Sequence, residues 1–172
     1  MKSANAKVNK PKKKKIVFLC TGNTCRSPMA EFILKDELVK RNRRSEFIVT
    51  SAGLSVGDND TINPLAKEAL KTLKVKCGKF VSKPLTIKLA ESAHLIVCMT
   101  ESHRRAILKS PVASEDVKAK TVTVASLTGG DEVSDPFGLD LSAYIKTAQY
   151  LAYAMDDIIE KVDTQAQKII KI

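Results

Sequence analysis

The stretch Cys20-Thr21-Gly22-Asn23-Thr24-Cys25-Arg26-Ser27-Pro28 constrains the fold more than any other, because it sets a cysteine after an apolar run, then a glycine-containing loop, then a helix start. Ile16-Val17-Phe18-Leu19 reads as a short buried strand, and Ser27 before Pro28 pairs an N-cap with a first-turn proline. The loop between them must wrap around a helix N-terminus. Main-chain N–H groups there lack intrahelical partners and carry the positive end of the macrodipole, so a tetrahedral dianion suits the cradle. Cys20 lies at its floor, where those dipoles and the Arg26 guanidinium favour thiolate over thiol and supply a nucleophile. Arg26 can grip two oxygens of the anion in a bidentate fork. The Ser27 hydroxyl is expected both to cap the helix and to donate to the Cys20 sulfur. The competing reading is a metal-binding or disulfide-forming cysteine pair beside a helix cap.

Beyond the loop, Ala30, Ile33, Leu34 and Leu38 recur at helical spacing, with Glu31, Lys35, Asp36 and Lys40 off that stripe, which predicts an amphipathic helix ending near Asn42. The cluster Arg41-Asn42-Arg43-Arg44 then complements the negative end of the helix dipole. Phe47-Ile48-Val49 reads as the second strand, and Thr50 to Gly53 leaves it at the loop's end of a parallel sheet, so Ser51 either reaches the loop or merely opens a turn. A helix begins at Pro64, capped by Asn63 or Thr61, and a short one runs from Ile87 to Ser92 behind Thr86. His94 to Met99 is the continuous apolar run of a strand buried on both faces, with Cys98 a small core residue. Thr100 opens a helix through Leu108; His103 in its first turn is a minor site candidate and His94 a weaker one. Thr121 to Val124 is the fourth strand, and Ser126 to Leu139 a glycine- and acid-rich loop holding Asp135-Pro136-Phe137-Gly138. A stripe from Tyr144 to Ile169 predicts one long helix, closing the sheet rather than forming a coiled-coil seam. Strands alternating with helices argue an α/β fold with a parallel, doubly wound sheet, its ligand outside the carboxyl ends of the strands.

Composition narrows the class. At 172 residues and 44% apolar, the chain suits one domain, and no apolar run approaches the roughly 20 residues of a membrane span. Seven lysines lie in the first 15 residues, so the net charge of +10 falls to +3 over the remaining 22 basic and 19 acidic residues. Residues 1–15 are therefore expected to be a disordered basic tail and 16–172 the folded domain. The tail admits a nuclear localisation signal or an anion-binding arm, and an anion- or nucleic-acid-binding module is the rival function class it suggests. Four cysteines, Cys20, Cys25, Cys77 and Cys98, lack zinc-site spacing and are few for a secreted disulfide scaffold. The expectation is a cytoplasmic monomer without metal or cofactor, with nucleic acid and membrane not its partners. Cys20 and Cys25, five apart in one curling loop, are expected to form a protective disulfide under oxidation.

Cys-x5-Arg-Ser resembles the phosphate loop of cysteine-dependent phosphatases, and CTGNTCRSP that of the low-molecular-weight protein tyrosine phosphatase family. Thr24 stands where its tyrosine phosphatases usually carry isoleucine, and the loop with the later Asp135-Pro136-Phe137-Gly138 resembles the bacterial protein arginine phosphatases. The resemblance, from about Ile16 to the C-terminus, implies a three-layer, four-stranded parallel sheet in the order 2-1-3-4. It further implies hydrolysis of phosphoarginine through a phosphocysteine, with phosphotyrosine as the alternative substrate. Cys20 and Arg26 would carry the transfer and Asp135 would be the general acid. Thr21, Gly22, Asn23, Thr24, Cys25 and Ser27 would hold the phosphoryl group, Phe137 would wall the pocket, and Ser51 would bond Asn23 to hold the loop open. The histidine that extends this network in tyrosine phosphatases is absent from Gly78 to Ser82. Thioredoxin-coupled arsenate reductases share the loop but need further redox cysteines, which this chain does not supply near Cys98.

Overall fold

The computed structural model describes residues 12–170. Strands β1 (Lys14–Cys20), β2 (Phe47–Gly53), β3 (Leu95–Cys98) and β4 (Thr121–Thr123) form one sheet in the order β2-β1-β3-β4, every pairing parallel. This is the order that the resemblance implies. Eight helices follow the strands: α1 (Arg26–Lys40), α2 (Pro64–Thr72), α3 (Ile87–Ser92), α4 (Glu101–Leu108), α5 (Glu115–Ala119), α6 (Val124–Thr128), α7 (Leu141–Tyr153) and α8 (Met155–Ile170).

Alternation along β1 assigns the layers. Ile16 and Phe18 pack with Met29 and Leu34 of α1, Leu70 of α2, Tyr144 and Leu151 of α7 and Ile158 of α8. Val17 and Leu19 face the other way, onto Ala90 of α3, Ile107 of α4 and Val117 of α5. Ile16 to Leu19 are wholly buried, and each such side chain contributes about 1.5–3 kcal/mol. The central strand is thus a stiff mount for Cys20 at its carboxyl end. Cys20 is level with Gly53, and Leu19 with Cys98, so the strand ends meet on one side of the molecule.

Several expectations change. Helix α1 starts two residues early, with Cys25 at the N-cap position and no side chain capping it, so Ser27 is not the cap. Its hydroxyl is drawn to partners beneath the loop. The first half of α1 is buried all round, Glu31 included, because the loop, β2 and α7 enclose it. β2 runs on to Gly53, which places Ser51 inside the strand and not in a turn. Thr123 caps α6 through a reciprocal bond with Ser126, so the acid-rich loop starts only at Gly129. The carboxyl-terminal stripe is two helices, turning at Ala154; Tyr144, Leu151, Met155, Ile158 and Val162 are buried on both sides of the turn, which keeps one apolar face on the sheet. β1 includes Lys14 and Lys15 at the end of the basic segment; residues 1–11 of that segment lie outside the described residues. Asn63 caps α2 and Thr86 caps α3, as predicted.

The basic cluster after α1 is paired. Arg43 bridges Glu46 and Asp163, Lys14 also reaches Asp163, and Arg41 meets Glu37 and Asp156, tying this end of α1 to α8. Among the described residues, no helix is long and apolar enough to cross a membrane.

Candidate active site

The loop from Cys20 to Arg26 closes over the carboxyl end of β1. Among the described residues, none of the main-chain N–H groups from Gly22 to Ser27 reaches a protein acceptor. The turn is made by Asn23, not by the neighbouring glycine: Asn23 is left-handed at φ 54°, a conformation asparagine tolerates better than most residues. A Cβ at Gly22 would meet only ordinary contacts, the nearest Thr24 Oγ1 at 3.6 Å. The glycine that geometry requires is Gly53, since a Cβ there would lie 2.6 Å from the Thr21 carbonyl oxygen.

A directed chain of hydrogen bonds holds this strained turn. The buried Glu31 carboxylate accepts from Ser51 Oγ at 2.6 Å, so Ser51 must in turn accept from Asn23 Nδ2, at 2.9 Å. Asn23 gives its second N–H to Ser27 Oγ at 2.9 Å, while its Oδ1 accepts from Lys83 N at 3.0 Å. Every polar atom of the amide is used, which fixes its orientation. Ser27 Oγ thereby keeps its own proton for Cys20 Sγ, 3.0 Å away, or for the Ala52 carbonyl at 3.3 Å. Ser82 Oγ donates to the Asn23 carbonyl at 2.7 Å, a further brace from the segment where no histidine stands.

Arg26 is buried under the loop and points out to the acid-rich segment. Its Nη1 donates to the Val133 carbonyl at 3.3 Å and its Nη2 to Asp135 Oδ2 at 2.6 Å. The Arg26 side chain is 7% exposed and that of Asp135 52%, so the pair runs from the floor of the site to its mouth. Asp135 Oδ1 also accepts from Phe137 N at 3.2 Å, which bends the chain and leaves the Phe137 ring 70% exposed at the rim. The segment is tethered by Val133 N to the Met99 carbonyl and by Glu132, which caps α4 through Glu101 N at 2.6 Å. A cleft of about 270 Å³ opens beside Asp135, between Pro136, Leu139 and Tyr150.

Two cysteines share the loop under different conditions. Cys25 is buried 3.6 Å from both Tyr144 Oη and Thr24 Oγ1, and burial pushes its thiol up, outweighing those hydrogen bonds. Cys98, in the core of β3, is pushed up to about 12 by burial. The half-buried Cys77 lies away from the loop, beside Gly78. Among the described residues, no three His, Cys, Asp or Glu side chains cluster as metal ligands would.

All the sequence candidates, Thr21 to Ser27 with Cys20, Ser51 and the Asp135 to Phe137 segment, meet at this one end of the sheet. Sequence reasoning missed Glu31, which looked like a solvated helix position, and the braces from Ser82 and Lys83. It underrated His103, whose Nε2 lies 3.0 Å from Thr21 Oγ1. His94 is at the opposite end of β1, bonded to Lys15 N.

The family described as low molecular weight phosphotyrosine protein phosphatase matches residues 15–168. The chain is 34% identical over 155 residues to the protein-arginine-phosphatase of Bacillus subtilis (strain 168), covering 89% of this chain and 97% of that protein. It is 32% identical over 139 residues to the low molecular weight protein-tyrosine-phosphatase PtpB of Staphylococcus haemolyticus, covering 81% and 93%. A solved YwlE arginine phosphatase, a cysteine-to-serine mutant with a phosphorylated active site serine, is similar with a TM-score of 0.75 at 33% identity, covering 87% of this chain and 95% of that one.

Proposed function

This chain belongs to the low molecular weight phosphotyrosine protein phosphatase family, and on that premise we propose that it hydrolyses phosphoarginine in proteins through a phosphocysteine at Cys20. The observation that carries the reading is the ring of unpaired loop N–H groups around a cysteine whose neighbour, Ser27, is left with a proton to give it. Such a ring offers a phosphoryl group donors on several sides without reorganisation. The phosphorylated active site serine of the YwlE mutant supports covalent transfer at this position.

The steps balance as follows. The Cys20 thiolate attacks phosphorus, the P–N bond to the guanidino group breaks, and Asp135 gives its proton to the departing nitrogen. A guanidine is strongly basic, with a pKa of about 12.5 or higher, so it must leave protonated. Water then attacks the thiophosphate, Asp135 takes a proton from that water, and phosphate departs with the thiolate restored. Arg26 turns from Asp135 toward the phosphoryl oxygens, exchanging one anionic partner for another. Thr21 to Ser27 line the phosphoryl group, Phe137 walls the substrate side chain, and Ser51 holds Asn23 in its left-handed turn.

The catalytic unit on this reading begins with β1 at Lys14, two residues before the boundary expected at Ile16, and works as a cytoplasmic monomer without cofactor or metal, with the preceding lysines a basic extension. Free, largely buried thiols support a reducing compartment. The second reading, a phosphotyrosine phosphatase, is favoured by the PtpB relative. Comparing kcat/KM for one peptide carrying phosphoarginine or phosphotyrosine decides between them: the first reading requires the phosphoarginine value to be the larger, and the reverse ratio overturns it.

A further inference from the structure

His103 is one of two histidines in the chain and the one set against the anion loop. Thr100 caps α4 by accepting from His103 N at 3.3 Å, and the same hydroxyl lies 2.8 Å from His103 Nδ1 and 2.7 Å from Ser102 Oγ. On the other side of the ring, Nε2 meets Thr21 Oγ1 at 3.0 Å. The residue is 4% exposed. Both ring nitrogens therefore end on hydroxyls, which donate or accept by turning about the C–O bond. The ring can gain a proton without losing a bond: the accepting nitrogen becomes a donor and its hydroxyl rotates to accept. A carbonyl on either side would not allow that exchange.

The charged groups facing the ring come from two other elements. Arg26 of α1 opposes a charge on it, and Asp135 and Glu132 of the following segment favour one. On its own helix, Glu101 pairs with Arg104 and Arg105. Burial, followed by Arg26, holds His103 below its ordinary value, and the positive end of the α4 dipole acts in the same direction. In the open site the ring is neutral at neutral pH. A dianion in the loop reverses the balance, since it neutralises Arg26 and brings negative charge beside Thr21.

We propose that His103 is a proton-linked positioning residue: when a tetrahedral dianion enters the loop, the imidazole takes one proton from solvent and, donating to Thr21 and Thr100, holds the mouth of the loop against the anion. Release of the anion returns the proton. This rests on the reading of the loop as a phosphate cradle. By linkage, the loop binds its anion more tightly as pH falls through the anion-bound value toward the lower free value, and above both values the gain is lost.

The test uses sulfate, which stays dianionic from about pH 5 to 8, and the Cys20→Ser protein, which removes the thiol's own titration. Nitrogen NMR of the two imidazoles is followed against pH with and without saturating sulfate. His103 should rise by about one unit, the smaller end of what a nearby opposite charge does, while His94 at the far end of β1 stays put. Sulfate affinity should then strengthen about 10-fold across that window, and His103→Gln should flatten the dependence. Sulfate that shifts the loop amides but leaves the His103 titration unmoved overturns the inference, as does an unchanged pH dependence in His103→Gln. Sulfate that does not touch the loop amides removes the cradle reading, and this inference with it.

Discussion

Replacing Ser51 by alanine tests the hydrogen-bond chain at its most buried link. Ser51 is wholly buried and Glu31 4% exposed, so no water replaces the lost hydroxyl. The Glu31 carboxylate loses its 2.6 Å donor and keeps Lys35, while the Asn23 amide loses one of its three partners and keeps Ser27 and Lys83. A hydrogen bond to a charged group contributes about 1.5–3 kcal/mol and the neutral bond to Asn23 about 1 kcal/mol. The variant should therefore lose about 2.5–4 kcal/mol, lowering Tm by at least about 5 °C for a chain of this size. In a Glu31→Leu background the charged part is already gone, and Ser51→Ala should cost only about 1 kcal/mol more. Urea unfolding of wild type, both single variants and the double variant measures the coupling. If the two losses add within about 0.5 kcal/mol, Ser51 and Glu31 are independent and the directed chain is wrong.

Other outcomes follow from the proposed chemistry. Cys20→Ser should abolish turnover while the loop still binds oxyanions, and substantial residual hydrolysis would exclude a phosphocysteine. Asp135→Ala should slow turnover of phosphoarginine peptides by about 10²- to 10⁴-fold and of p-nitrophenyl phosphate far less, because only the basic leaving group needs the proton; equal losses on both would remove Asp135 from the acid role. Thr24→Ile, which exchanges a hydroxyl at the loop's edge for a longer apolar chain, should lower kcat/KM for phosphoarginine and keep or raise it for phosphotyrosine, and an unchanged ratio would place substrate choice in the Asp135 to Gly138 segment. Peroxide should inactivate the enzyme and dithiothreitol restore it, with recovery failing in Cys25→Ala if Cys25 captures the oxidised Cys20; full recovery in that variant would sink the protective disulfide.

What the sequence revealed and what it hid divide along physical lines. The four strands and the fold class were legible because burial on two faces leaves unbroken apolar runs at β1 and β3, and the loop was legible because its chemistry is contiguous. The helix start was misplaced by two residues, since Ser27 satisfies the pattern of a cap but finds better partners in Cys20 and Asn23. Glu31 was hidden for a related reason. A polar side chain on a helix reads as solvated unless its partner is known, and Ser51 is 20 residues away on β2. The break at Ala154 leaves no trace in the apolar period, because the turn keeps the stripe in register. His103 carried only a residue type and a helix start; its role depends on Thr21, which the fold alone brings to it.

The burial of these residues also separates the generic part of the site from the selective part. Cys20, Asn23, Arg26, Ser27, Ser51 and Glu31 are all nearly or fully buried, and each side chain is committed to a neighbour within the protein. Such groups can stabilise a phosphoryl group but cannot inspect what carries it. The residues that reach solvent are Thr21, Asp135, Phe137 and Leu139, with Thr24 half-buried at the edge. Among these, Asp135 offers a carboxylate to a cation and Phe137 an open ring face, a combination suited to a planar guanidinium as much as to a phenyl ring. On the proposed reading the hydroxyl of Thr24 tips the balance, because it can accept from a guanidino N–H and has no such partner on a phenyl ring. On that reading selectivity between the two substrates lies in the rim, and the buried floor can serve either.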